Sequence, residues 1–186
     1  MITESETIHE ILQGNRHRFS ELVARYQGMV FRTAMGFLHS KEDADDLTQE
    51  VFIRAYEALE TYKFDSAFST WLYRITVNRS LNQLARIRRR NLVVVAGDML
   101  KQFLGAEDPQ RDPHTLMEDE QRDQAIRKAI DSLPKNQQTA FVLSKYEALT
   151  QKEIAVVMRT SEGAVEQLLQ RAKSTLRKKL APIVGK

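Results

Sequence analysis

The chain has 186 residues, 42% of them hydrophobic, with a formal net charge of +3 and no cysteine. Its length allows one domain or two small ones, and its apolar share is enough for a packed core, which excludes wholesale disorder. The missing cysteine excludes disulfides, thiolate metal sites and a cysteine nucleophile. The first ten residues are polar and acidic, without the apolar stretch of a signal peptide. No run approaches the roughly 20 apolar residues that a membrane helix needs, so a soluble, cytoplasmic protein without membrane insertion is expected. Glycine and proline are few, and apolar residues recur at helical spacing, which predicts an all-α protein. The excess of cations lies toward the C-terminus, and Arg86, Arg88, Arg89 and Arg90 form a second cluster; both could meet phosphate.

In chain order, a first helix is predicted over 6–13, ended by Gly14-Asn15. The next carries Phe19, Leu22, Val23, Tyr26, Val30 and Ala34 on one stripe, with a break possible at Gly28 and a stop near His39. Ser40 is a suitable N-cap for a third helix, with Asp43 three residues on and Leu47, Val51, Ala55 and Leu59 along its apolar face. A loop at 62–69 precedes a long helix with Trp71 or Leu72, Ile75, Leu81 and Leu84 in line, expected to end near Arg90. Residues 92–114 read as a flexible linker. Its apolar front half fits a strand or a short helix, and Gly105 to Pro113 is rich in breakers and charge. Four further helices are predicted over 115–132, 134–146, 150–158 and 161–180. Pro134 stands at a first helical position, where a missing N–H costs nothing, and Thr150 with Glu153 spells a capping box. The organisation is therefore two small helical domains, 1–91 and 115–186, joined by the linker.

The strongest local motif spans 150–169. Two capped helices flank a short turn at Arg159-Thr160. Ala155 is small where they would cross, and Ile154, Met158, Val165 and Leu168 supply apolar contacts. This is the pattern of a helix-turn-helix. The second helix keeps Val165, Leu169, Ala172, Leu176 and Leu180 on its apolar stripe. That leaves Glu162, Gly163, Glu166, Gln167, Gln170, Arg171 and Lys173 outside it, the polar face that base reading requires. Lys173, Arg177, Lys178 and Lys179 suit phosphate. An ordinary helical hairpin with a basic end is the plainer reading, but caps, turn, small residue and basic tail agree on DNA.

A second motif lies in 43–82. Asp43, Asp46 and Glu50 share one helix face, where a basic partner surface would relieve their mutual repulsion; taken alone, such a face is more often merely solvated. No histidine or metal cluster accompanies these carboxylates, so no catalytic residue, metal or cofactor is expected and an enzyme is not. Further on, Tyr62, Phe64, Phe68, Trp71 and Tyr73 alternate with Lys63, Arg74 and Arg79. Rings that stack on unpaired bases and cations that hold the backbone are the chemistry of single-strand binding. Phe68 and Trp71 are expected in the core, and Tyr62, Phe64 and Asn78 on the surface.

The run Asp45-Asp46-Leu47-Thr48-Gln49-Glu50-Val51-Phe52, followed by Ala67 to Ile75 and Asn78, resembles region 2 of bacterial sigma factors. The helix-turn-helix with Arg171-Ala172-Lys173 and Leu176-Arg177 resembles region 4. Two motifs in order over nearly the whole chain, with no room for regions 1.1 and 3, make it similar to the short extracytoplasmic-function class. The resemblance implies that Asp46, Gln49, Glu50 and Phe52 dock on the β′ clamp of core RNA polymerase, with the β flap as a second contact. It implies that Tyr62, Lys63, Phe64, Asp65, Ser66, Ala67, Phe68, Arg74, Asn78 and Arg79 capture flipped bases of the −10 promoter element. Ser161, Glu162, Gly163, Glu166, Gln167, Gln170, Arg171 and Lys173 would meet the −35 element. An anti-sigma factor is an implied partner, and a stress or envelope response the implied regulon. The chain departs from the family pattern at Glu166 and Leu168, where many members are basic, and at Phe64, where many are smaller.

Two other readings compete. A conventional helix-turn-helix regulator, with 1–90 as a helical interaction domain, would bind duplex DNA without polymerase. A helical adaptor would ignore nucleic acid, which the aromatic and basic segment at 62–74 argues against.

Overall fold

The computed structural model describes residues 3–103 and 118–184. Eight α-helices stand among them: α1 Glu4–Leu12, α2 Phe19–Leu38, α3 Lys41–Glu57, α4 Phe68–Phe103, α5 Glu118–Asp131, α6 Lys135–Tyr146, α7 Gln151–Met158 and α8 Glu162–Val184. The expected all-α architecture of two helical units is what forms. Among the described residues no helix is long and apolar enough to cross a membrane.

Local sequence signals start and stop these helices. Thr3 Oγ1 accepts from the Glu6 N–H at 3.3 Å and the Glu6 carboxylate accepts from the Thr3 N–H at 2.6 Å, a reciprocal capping box. At the other end of α1 the Gly14 N–H donates to Ile11 and the Asn15 N–H to Glu10, and Gly14 takes φ +105°, a left-handed stop that suits glycine. Ser40 caps α3 through the Asp43 N–H at 3.2 Å, as its sequence predicts. Pro134 is the N-cap of α6, one place before the predicted position. Helix α2 runs through Gly28 without a break. Helix α4 does not stop at Arg90: the apolar stretch behind it continues the same helix to Phe103. Extending an existing helix costs less than nucleating a new element, which resolves the choice between strand and short helix. The rest of the predicted linker, with its Gly- and Pro-rich part, lies outside the described residues.

The first unit centres on α2, which packs against α3 and α4. Val30, Ala34, Phe37, Val51, Ala55, Phe68 and Leu72 are fully buried there, and α1 adds Ile8 and Ile11. In the second unit α8 packs on α5, α6 and α7, with Leu143, Ile154 and Val165 in its core. Ala129, Ile130, Leu133, Ala172 and Leu176 form a smaller cluster between α5 and α8.

The two units touch. Helix α2 meets α6 at Gly36, where an added Cβ would lie 2.6 Å from Val142 and 3.1 Å from the Tyr146 ring. Only glycine permits that approach. Helix α4 meets α7, and the Arg74 guanidinium donates to the carbonyls of Val156 at 2.7 Å and Val157 at 3.2 Å. Those carbonyls are among the last of α7, which have no partner within the helix and carry its negative dipole end. Glu147, at the end of α6, accepts from Arg32 at 3.0 Å and from the Tyr73 hydroxyl at 2.9 Å. Arg88 donates to the Asp131 carbonyl, and His39 stands 3.3 Å from the Asp131 carboxylate.

Candidate nucleic-acid interface

Three surfaces follow from this scaffold. The first is the outer face of α3. Asp46, Gln49 and Glu50 are exposed, as the helical spacing requires. Phe52 is not with them: it is buried, 6% exposed, and packs edge-on against Phe19. The apolar residue on the acidic face is its neighbour Ile53, 61% exposed. Positions 46, 49, 50 and 53 follow the i, i+3, i+4, i+7 rule, so the spacing that found the carboxylates also marks Ile53. Glu50 reaches across to Arg79 of α4 at 4.0 Å, an exposed pair that holds little energy.

The second surface is the loop at 62–68 and the start of α4. Lys63, Phe64, Asp65 and Ala67 are exposed and Ser66 is half-buried. Tyr62, expected on the surface, is only 8% exposed. Its hydroxyl donates to the Ser66 carbonyl at 2.6 Å, which ties the loop into a closed turn over the ring. Desolvation raises the Tyr62 pKa first, and Glu4 adds to it, so the hydroxyl stays protonated as a donor. Phe68 is fully buried, whereas Trp71 is only partly so. Trp71, Arg74, Asn78, Val157 and Arg159 line a groove of about 390 Å³ between the two units. Asn78 is exposed. Arg74 is engaged by the α7 carbonyls, and the sequence carries no sign of that contact. Desolvation, and Arg159 after it, lower its pKa from the ordinary arginine value.

The third surface is the helix-turn-helix. The Thr150–Glu153 capping box is formed in full: Thr150 Oγ1 accepts from the Glu153 N–H at 3.3 Å and the Glu153 carboxylate accepts from the Thr150 N–H at 2.8 Å. Arg159 takes φ +53° at the turn, and Ser161 Oγ accepts from the Ala164 N–H at 3.2 Å to start α8. Val165, Leu169, Ala172 and Leu176 are buried. Ser161, Glu162, Gly163, Glu166, Gln167, Gln170, Arg171 and Lys173 all face solvent. Gln170 donates to Glu166 at 3.2 Å, which orients two amide and carboxylate groups side by side on that face. Among the described residues no group of acidic or histidine side chains is placed to hold a metal ion.

Residues 22–90 match the family model of sigma-70 region 2, and residues 123–176 match that of sigma-70 region 4. The chain is 32% identical to the RNA polymerase sigma-H factor of Pseudomonas aeruginosa, over 97% of this chain and 95% of that one. It is also 32% identical to the ECF RNA polymerase sigma-E factor of Escherichia coli, over 98% and 97% of the two chains. The chain belongs to the extracytoplasmic-function sigma factors of the sigma-70 family. Among solved structures, CnrH in complex with the cytosolic domain of CnrY superposes with a TM-score of 0.65 at 25% identity, covering 95% of this chain and 96% of that one. The sigma factor RpoE of Bartonella quintana, solved with the anti-sigma factor NepR, shares the fold: TM-score 0.58, 18% identity, 88% and 96% covered. As a sigma factor, the protein works with core RNA polymerase and recognises promoter DNA. It belongs to a family that acts through binding, and its helix-turn-helix is the DNA-binding element of region 4.

Proposed function

We propose that the three surfaces divide the work of promoter opening. The acidic face of α3, with Asp46, Gln49, Glu50 and Ile53, docks on a basic surface of core polymerase, the β′ clamp. The carboxylates on this face repel one another, and the single exposed pair of Glu50 with Arg79 offsets little of that until such a partner arrives. The loop at 62–68, with Asn78, captures unpaired bases of the −10 element. Flipping a base costs a few kcal/mol of stacking, and a preformed aromatic site offsets it. The exposed face of α8 reads the −35 element: Glu166 can accept from a cytosine amino group and the glutamines can pair with adenine, while Arg171 and Lys173 hold phosphates. The observation that carries this reading is the exposure of every polar residue at the start of α8 behind a fully formed turn. The setting is the cytoplasm and the regulon a response to stress. A regulatory protein that holds both units is a further expected partner, since the relative CnrH is seen bound by the cytosolic domain of CnrY.

The test is transcription with purified core polymerase on genomic fragments, with wild-type protein and with the Asp46→Ala/Glu50→Ala pair. Specific transcripts that depend on the protein and vanish with the double change support the reading. A wild type that binds duplex DNA alone but forms no complex with core polymerase overturns it.

A further inference from the structure

The rings around the 62–68 loop form a ladder from core to surface. Phe68, fully buried, meets Tyr62 edge-on with centroids 5.6 Å apart. Tyr62 meets Phe64 at 4.6 Å. Phe64 then stacks on His9 at 4.8 Å with only 18° between the planes. The outermost rung therefore comes from α1, outside the residues that match either sigma region.

This rung is held firmly. Helix α1 is capped at both ends and buries Ile8 and Ile11. Its Glu4 accepts from the Tyr26 hydroxyl and pairs with Arg25 at 3.3 Å. The His9 Nδ1 lies 2.8 Å from the Ser5 carbonyl. A carbonyl can only accept, so Nδ1 carries a hydrogen, and Nε2 of the neutral ring is left as an acceptor. Phe64 shows that the position is maintained at a cost. It takes φ +58° and stays 39% exposed. A left-handed backbone is strained for a residue with a Cβ, and an apolar ring gains nothing from water. The backbone is bent to hold this ring outward, flat against His9.

We propose that His9 is a specificity-determining residue for the −10 element. An unpaired base adds to the ladder as the next ring, stacked on the His9–Phe64 pair. The Nε2 lone pair lies in the plane of the imidazole, so it accepts from an exocyclic amino group, N4 of cytosine or N6 of adenine, of the adjacent unpaired base at the edge of the ring. Thymine and guanine present an oxygen at that position, and lone pair meets lone pair. This inference rests on the reading of the loop as the −10 site.

The experiment uses holoenzyme assembled from core polymerase and the full chain. Fork DNA with a single-stranded −10 segment carries each of the four bases at each position in turn, and affinity is read by fluorescence anisotropy. At one position the wild type is expected to favour cytosine or adenine over thymine and guanine. His9→Ala should weaken binding roughly tenfold, the scale of one stacked base. His9→Phe should restore the affinity and level the base preference. Binding and preference unchanged in His9→Ala, with binding weakened in Phe64→Ala, would overturn the role of His9 and leave the loop reading intact. No effect of Phe64→Ala either would sink the loop reading itself. A loss in His9→Ala that His9→Phe does not restore would mean that α1 was disturbed, and would overturn the stacking role. A wild type without base preference at any position would overturn the claim of specificity.

Discussion

Glu147 shows how much one side chain carries at the contact between the units. Its side chain is 1% exposed, yet it bonds Arg32 and Tyr73. Burial holds its carboxyl above the ordinary value of 4.5, against the opposing pull of Arg32, Tyr73 and Thr33. Tyr73 is itself pushed up, by burial first and then by Glu147, with Glu153 adding to it. The packed contact therefore binds a proton that the separated units release. The contribution of Glu147 to that contact is fully present below pH 4.5 and is lost as pH rises through its elevated value. Glu147→Gln should remove that part of the slope, read as urea midpoints compared at about pH 5 and 7. An unchanged slope would assign it elsewhere. A second prediction concerns Tyr62. Tyr62→Phe removes the bond to the Ser66 carbonyl and should cost about 1 kcal/mol in urea unfolding. The same residue shows a limit of sequence reading. A tyrosine in a polar loop reads as exposed, because nothing local shows that its hydroxyl will close the loop back over its ring. Phe52 and Ile53 are the mirror case: the motif gives an apolar residue beside the carboxylates, and only the register of α3 decides which of the neighbours points outward.

At the scale of elements, most of the fold was legible because its signals are local. The caps at Ser40, Thr150 and Ser161 each satisfy backbone groups within three residues, so the chain states them wherever it folds. Thr150→Ala breaks both halves of the box before α7 and should cost about 1 kcal/mol, measured by urea unfolding. The exposed face of α8 was legible from its buried stripe, since a period of 3.6 fixes both faces at once. Arg171→Ala and Lys173→Ala should each reduce the magnitude of the log K versus log salt slope for −35 DNA by about 1, without changing base preference. A changed preference with an unchanged slope would make them base readers. The end of α4 was not legible. Four arginines at 86–90 imitate a helix terminus, and the β-branched run behind them imitates a strand. Cooperativity of the existing helix outweighs both.

At the scale of the whole molecule, the packing of the units on each other left no trace in the sequence. Gly36 carries no signal there, and Arg74 reads as a cation for DNA. Both instead mark where α2 meets α6 and α4 meets α7. Gly36→Ala should wedge the contact open against Val142 and Tyr146. Small-angle scattering should then show a larger radius of gyration, with helix content by circular dichroism unchanged; equal radii would mean that the side chains yield instead. The grip of Arg74 has a thermodynamic corollary. The α7 carbonyls occupy the Nε hydrogen and one Nη2 hydrogen of Arg74, the side-on fork that would otherwise grip a phosphate, its proposed ligand. A molecule that engages the −10 strand through that fork must first have let α7 go. The apparent dissociation constant is then the intrinsic one divided by the fraction already released, so a tenfold bias toward the packed form weakens binding about tenfold, or about 1.4 kcal/mol. Anything that parts the units beforehand raises promoter affinity without touching DNA.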